Sequence, residues 1–333
     1  MQFNIKRAFS LIDSFTRIKV AVVGDLIADI YWKGTLTRFS REAPVPIVKL
    51  DDEILVPGGA ANTSANIASL SGKSLLIGRF GKDNEGDRLR ENLNKINGLS
   101  VYPLFKDNFK TITKIRIKAG SFHTRPAQIL RIDKENAEIQ LTEEENEEIV
   151  TALKGCDAII LSDYGYGSAS PDLLSYIKKR TGNLVIISVD SRYRINEFMG
   201  ASLLTPNEEE AAYALKEENI LDNDIIAAGK KLLRISSAHN LIITRGPFGM
   251  AYFSKKTSEK IPICGTTDIV DNTGAGDTVI AAATLSLACG ASLREAAIIA
   301  NCAASVSVMQ EGAVAVKPTV LKDAVALFLK QYL

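Results

Sequence analysis

The sequence has almost no excess charge: Lys and Arg number 40 against 39 Asp and Glu, a formal net charge of +1. That balance gives no support to a nucleic-acid partner or a membrane-surface role resting on bulk charge, although a local basic pocket stays open. Histidine is nearly missing, with only His123 and His239, and the four cysteines (Cys156, Cys264, Cys289 and Cys302) are scattered without a C-x-x-C pair. Too few ligands remain for a zinc site, and reduced, mostly buried thiols are expected. Long apolar runs are lacking too. The longest, near 279–289 and 296–309, contain small and polar residues and suit buried helices. The N-terminal MQFNIKRAFSLIDSF is amphipathic and interrupted by charge, so it reads as neither signal peptide nor membrane span. The expectation is a cytoplasmic enzyme with no membrane and no nucleic-acid partner.

What is present is regular alternation. KVAVVGD (19–25), DAIILSD (157–163), LVIISVD (184–190) and NLIITRG (240–246) read as strands buried on both faces, each ending in a polar or glycine residue. Helical patterns lie between them, at about 58–71, 84–97, 141–154, 171–181, 207–216 and 222–236. The pattern predicts an α/β fold, a mainly parallel sheet covered by helices on both sides, with the site beyond the carboxyl ends of the strands. Two segments break the rhythm, 30–57 and 101–133, where apolar and polar or basic positions alternate with period two. They are expected to form a small β lid or dimer contact projecting from one domain that spans 1–333.

The stretch DNTGAGDTV (271–279) precedes a good helix-forming run, TVIAAATLSLA. Gly274 and Gly276, with Ala275 between them, let backbone amides approach an anion at a helix N-terminus. Asp277 in that turn would repel a resting phosphate, but suits a base taking the proton of a hydroxyl that attacks one. The turn alone fits a plain helix cap equally well. Earlier, PGGAANTSANIASLSG (57–72) places Gly58 and Gly59 before a helix bearing Asn62, with Asn66 one turn on. Two glycines and an asparagine amide suit a polyol, or else a tight strand-to-helix connection. Asp25 and Asp29, flanking the turn after the first strand, are hydroxyl acceptors or helix caps.

Together, Gly58-Gly59…Asn62 and Asp271-x-Thr273-Gly274-Ala275-Gly276-Asp277 resemble the two signatures of the ribokinase-like, or PfkB, family of sugar kinases, over about residues 15–320. The resemblance implies a three-layer α/β/α sandwich with a small β lid, ATP and Mg²⁺ as cofactors, Asp277 as catalytic base and the 274–277 amides as anion hole. It also implies that Asn207 and Glu210 of TPNEEE (205–210) serve Mg²⁺, through water, and the phosphates; an acidic helix N-terminus is the plainer alternative. Thr244, Gly246 and Gly249 of TRGPFGM (244–250) would line ATP, and Asn301 would lie near adenine or else be structural. Asp271 and Thr273 match two ligands of the K⁺ that some relatives bind.

Within the family, VVGDLIADIYWKGTLTRFSREAPVPIVK (22–49), TITKIRI (111–117) and LSDYGYG (161–167) are similar to kinases of D-glycero-β-D-manno-heptose 7-phosphate. That implies phosphorylation of the anomeric hydroxyl to the 1,7-bisphosphate, on the route to ADP-heptose and lipopolysaccharide. Arg38, Lys114, Arg116 and Arg131 are then candidates for the substrate's remote phosphate. Asp190 in SVDSRYR is a further substrate candidate, although heptose kinases more often show Asp-Pro-Lys there. Alternatives are a ribokinase- or fructokinase-like enzyme, or a non-catalytic binder. No second nucleotidyltransferase-like segment follows, so a kinase domain without an adenylyltransferase domain is expected, as a homodimer through the β lid.

Overall fold

Strand β1 (Lys19–Gly24) shows how the layers form, because successive side chains of a strand point to opposite faces. Val20 and Val22 join a core built from the helices α1 (Ile5–Ser14), α2 (Ala60–Ser69), α8 (Ala275–Ala288), α9 (Leu293–Ser307) and α10 (Pro318–Tyr332). Ala21 and Val23 join a second core, with α4 (Glu143–Ala152), α5 (Pro171–Thr181), α6 (Glu208–Leu215) and α7 (Ile225–Ser236) on the opposite face. A strand buried on both faces needs helices above and below, and the three-layer α/β/α arrangement follows. The computed structural model describes residues 3–120, 126–182, 185–265, 270–309 and 316–332. His123 lies outside the described residues, as does Leu184, the first residue of the strand expected at 184–190.

Among the described residues the large sheet has nine strands. Beside β1 run β4 (Lys73–Phe80) and β5 (Leu99–Phe105) on one side, the latter reached through α3 (Asn84–Asn94). On the other side lie β8 (Ala158–Asp163), β9 (Ile186–Ser191), the two-residue β10 (Leu203–Leu204) and β11 (Asn240–Thr244). All these neighbours pair in parallel; β12 (Met250–Ser254) and β13 (Ser258–Ile261) add an antiparallel edge. One expectation needs correcting. Residues 101–105 belong to β5, in register with Leu76–Phe80 at the sheet's edge, and not to the lid. Their crossover from β4 through α3 returns the chain to the same sheet, which alternation in the sequence did not reveal.

The lid is a separate four-stranded sheet in the order β3 (Pro46–Gly59), β2 (Leu26–Phe39), β6 (Ile112–Gly120), β7 (Ala127–Lys134). A single residue, Asp25, separates β1 from β2, so the lid grows directly from the central strand. Cross-strand register fixes its polar face: Asp29 stands beside Lys114, and Lys114 beside Asp133; Tyr31 stands beside Arg116, and Arg116 beside Arg131. Among the described residues no helix is long and apolar enough to cross a membrane.

Arg79 on β4 ties the connection before α4 to the sheet. It is 1% exposed, donates to both oxygens of Glu145 at 2.9 and 2.7 Å, and donates to the carbonyls of Ile139 and Gln140. Arg79→Ala strands these acceptors and is expected to cost about 3–5 kcal/mol in urea unfolding. A loss below about 1 kcal/mol would show that the cluster is solvated instead.

Candidate active site

The order of the large sheet reverses at β1, since the chain builds outward through β4 and β5 and then returns to add β8 to β11. Such a reversal opens a crevice beyond the carboxyl ends of the strands. A cleft of 840 Å³ lies there, between strand ends (Asp163, Asp190, Thr205), the lid (Asp29, Lys114) and the first turn of α8.

Gly274 is the N-cap of α8, with φ of 78°, and a Cβ on it would stand 2.5 Å from Asn62 Nδ2. Both the left-handed backbone and the close approach require glycine. Asp277, 4% exposed, makes no capping bond to its own helix. Its Oδ2 accepts from Asn62 Nδ2 at 2.7 Å, and its Oδ1 from Thr63 Oγ1 at 2.7 Å and the Tyr164 hydroxyl at 3.3 Å. The helix-cap alternative is therefore set aside. Burial pushes Asp277 up to about 6, while Asn62, Thr63 and Tyr164 pull it down by bonding to the charged form. Of the turn's amides, that of Ala275 donates to Asn272 O at 3.3 Å. Those of Gly276 and Asp277 have no acceptor among the described residues and lie at the positive end of α8. Of the expected 274–277 span, the Ala275 amide is therefore used by the turn itself.

Asn62 is itself held. Asn66 Nδ2 donates to Asn62 O at 3.0 Å and to its Oδ1 at 3.3 Å, and Thr278 Oγ1 donates to Asn66 Oδ1 at 3.0 Å. This closed loop between α2 and α8 leaves Asn62 one orientation, amide nitrogen toward Asp277. Gly58 and Gly59 line the cleft where β3 turns into α2. A Cβ at Gly58 would stand 2.4 Å from Asp29 Oδ2, and Gly59 has φ of 59°.

Asp25 departs from its expected role. Its fully buried carboxylate accepts from the backbone amides of Tyr164 (2.9 Å), Tyr166 (3.0 Å) and Ser168 (2.9 Å) and does not line the cleft, so it is out of reach of a sugar there. It instead fixes the loop that presents Tyr164 to Asp277. Asp29 does line the cleft, ion-paired to Arg116. Lys114 and Arg131 also line it, Arg131 donating to Asp133 at 2.8 Å. Arg38 does not; it sits exposed near the far end of β2, opposite Ile47, because the strand has by then run past the cleft.

On the other wall, Asn207 and Glu210 line the cleft and form a reciprocal capping box at the start of α6, at 2.8 and 2.9 Å. One oxygen of Glu210 is thereby used, and the other has no hydrogen-bond donor among the described residues. Burial pushes Glu210 up to about 7, and burial, Glu210 and Asp277 push Asp190 well above the carboxylate range. Crowded carboxylates of this kind, all hard oxygen donors, suit Mg²⁺. Among the described residues no group of three or more acidic, His or Cys ligands could hold a metal ion. The donor set therefore fits a hydrated ion shared with phosphates, not a protein cage.

Thr244 and Gly246 line the same end of the cleft. Gly249 does not, being a left-handed turn (φ 81°) packed against the Ile261 carbonyl. Asn301 is also turned away, its buried amide donating to Pro262 O at 2.8 Å. Thr273 reaches the cleft, whereas the Asp271 carboxylate accepts from the Thr273 amide at 2.9 Å and lies 4.0 Å from Lys118 Nζ. Sequence reasoning missed Thr63, Tyr164, Thr278 and Arg192. The first and third adjoin recognised motif residues, and the second lies within LSDYGYG, so adjacency was the available signal.

Residues 17–320 match the family described as pfkB family carbohydrate kinase. The chain is 35% identical over 323 residues to "Bifunctional protein HldE" of Proteus mirabilis and 37% identical over 314 residues to that of Enterobacter sp. (strain 638). Each alignment covers 93% of this chain, which spans 64% of the length of these relatives. Among solved structures, phosphofructokinase-2 from Escherichia coli in complex with potassium superposes with a TM-score of 0.75 at 17% identity, covering 93% of this chain and 99% of that one. Arabidopsis thaliana ribokinase complexed with ribose and ATP gives 0.71 at 22% identity, covering 94% and 98%. At those identities the likeness bears on the fold.

Thr63→Val removes a donor that favours the charged form of Asp277, so the carboxyl should titrate above the wild-type value of about 6. Carboxyl-detected NMR titration of the two proteins checks this; an unchanged or lower value would contradict the geometry.

Proposed function

From the premise that this chain belongs to the pfkB family of carbohydrate kinases, and so is an ATP-dependent sugar kinase, we propose that its acceptor is D-glycero-β-D-manno-heptose 7-phosphate. The product would be the 1,7-bisphosphate, made in the cytoplasm as a precursor of ADP-heptose. One observation carries the mechanism: a buried carboxylate, Asp277, shares the first turn of α8 with two amides that have no acceptor among the described residues. The anomeric hydroxyl gives its proton to Asp277 as its oxygen bonds to the γ-phosphorus, and the bond to the β-phosphate oxygen breaks to release ADP. The Gly276 and Asp277 amides take up charge on the transferring group. Asn62, Asp29 and the Gly58–Gly59 backbone hold sugar hydroxyls. Glu210 and Asp190 would hold Mg²⁺ through water, the ion supplying charge neutralisation on the phosphates. K⁺ beside Asp271 and Thr273 is a further element of this reading, tested by comparing rates in K⁺ and Na⁺.

The sugar rests on the segments that resemble heptose phosphate kinases and on the excess of cations at the lid end. A panel of heptose 7-phosphate, fructose, ribose and tagatose phosphate, read by ADP release, tests it. Brisk turnover of an unphosphorylated sugar with none of heptose 7-phosphate would replace the heptose reading with a ribokinase- or fructokinase-like one. Asp277→Asn should retain ATP binding while kcat falls by roughly two or more decades; an unchanged kcat would favour a non-catalytic binder or another base. Because Asp277 must be ionised to accept a proton, kcat/KM should fall as pH drops below about 6.

We also assign the outer face of the lid to a second copy of the chain. Leu50, Leu130 and Ile132 are 52, 53 and 38% exposed there, an apolar strip on a sheet with open edges. Light scattering should give a dimer, and Leu130→Glu a monomer; a wild-type monomer at micromolar concentration would refute the assignment.

A further inference from the structure

The donors on Asp277 are not shared evenly between its two oxygens. Oδ1 accepts twice, from Thr63 Oγ1 at 2.7 Å and the Tyr164 hydroxyl at 3.3 Å, whereas Oδ2 accepts once, from Asn62 Nδ2 at 2.7 Å. A carboxylate oxygen offers two lone-pair sites to donors, so among the described residues Oδ1 is filled and Oδ2 keeps one site open. Oδ2 is also the oxygen nearer the glycine turn, 3.8 Å from where a Cβ on Gly274 would stand. A proton arriving on Oδ2 displaces no hydrogen bond. One arriving on Oδ1 drives off Thr63 or Tyr164 and leaves that donor unpaired.

Tyr164 is held from several sides. Asp25 accepts from its amide and from those of Tyr166 and Ser168. Arg194 donates to both oxygens of Asp163 at 2.9 and 3.0 Å, and Asp163 Oδ1 accepts from the Gly165 amide at 3.1 Å. The Tyr166 hydroxyl donates to Glu135, and its ring packs with Ile27, Phe109 and Ile112 at the foot of the lid. The Tyr164 ring itself lies under the Lys114 ammonium, 5.7 Å from the centroid. Burial, with Asp277, Asp190, Asp29 and Glu210 nearby, holds its pKa well above the usual phenol value, so the hydroxyl stays a donor. We propose that Tyr164 is a positioning residue which, with Thr63, closes Oδ1 and leaves Asp277 Oδ2 as the atom that takes the proton of the attacking hydroxyl. As that O–H bond breaks, its electron pair stays with the oxygen that bonds to the γ-phosphorus, and the proton goes to Oδ2. The bond to the β-phosphate oxygen breaks with its pair leaving on ADP. The proposal rests on the reading of Asp277 as base and deepens it to a single atom.

Two measurements test it, the first without substrate. Neutron diffraction from crystals held at about pH 5, below the Asp277 value of about 6, should show deuterium on Oδ2, with the Thr63 and Tyr164 hydroxyls still directed at Oδ1. Deuterium on Oδ1 overturns the assignment. The second uses Tyr164→Phe, which keeps the ring beneath Lys114 and removes only the hydroxyl. With a site open on Oδ1, kcat should fall about 5- to 50-fold while the KM for ATP stays within about threefold. The acid limb of kcat/KM should move upward, because one donor to the charged form is gone. The charged groups facing Asp277 are the same in both proteins (Asp29, Lys114 and Arg116 on the lid, Asp163, Asp190 and Arg192 at the strand ends, Glu210 on α6), so the shift reports the lost bond. A kcat and acid limb equal to those of the wild type would make Tyr164 structural only and overturn its role. If Asp277→Asn keeps its kcat, the base reading fails and the proposal falls with it. If Asp277→Asn loses kcat while Tyr164→Phe does not, the base stands and the positioning role is wrong.

Discussion

The site depends on one seam, the hydrogen bonds between α2 and α8. Asn62 and Thr63 reach from α2 to the Asp277 carboxylate, and Thr278 reaches back from α8 to Asn66, which orients Asn62. A carboxylate this buried would keep its proton in an apolar setting, and without the seam's donors Asp277 would be neither anchored nor readily ionised. Three donors bring it to a compromise near 6, ionised for the most part at neutral pH yet still able to take a proton. The same seam fixes the distance between the glycine turn that opens α2 and the one that opens α8. Acceptor and donor halves of the cleft are thus set by one contact between two helices.

The lid works by a different logic. Its register puts Asp29, Lys114 and Asp133 in one row and Tyr31, Arg116 and Arg131 in the next, so charges of both signs face the cleft in a fixed grid. Pairing within the grid consumes some of them. Within the grid three cations, Lys114, Arg116 and Arg131, stand against two carboxylates, and the wall they face carries Asp190, Glu210 and Asp277.

Much of this was legible in the chain. The buried strands announced the sheet, their polar last residues the location of the cleft, and DNTGAGDTV the glycine turn that brings Asp277 to it, because each is a local pattern with a local cause. What escaped depends on contacts between distant segments. Asp25 looked like a sugar ligand because it follows the first strand, but three amides of a loop far along the chain consume it. Arg38 carried the right charge but lay too far along its strand, and Asn301 and Gly249 were spent on backbone partners. Strand β5 was assigned to the lid because alternation reports one exposed face without saying which sheet owns it. Conversely, Thr63 and Tyr164 matter only through a carboxylate that no sequence window places beside them.

The separations involved have a consequence for how the protein comes into being. Asn62 and Asp277 are 215 residues apart, and Asp25 and the Tyr164 amide 139. Contacts closing such long loops form late, after local helices and neighbouring strands have docked. A chain emerging from the ribosome therefore builds its glycine turn and lid strands well before α8 arrives to complete the centre. Until that last docking Asn62 and Thr63 have no carboxylate to meet, so the centre comes into being only with the finished fold.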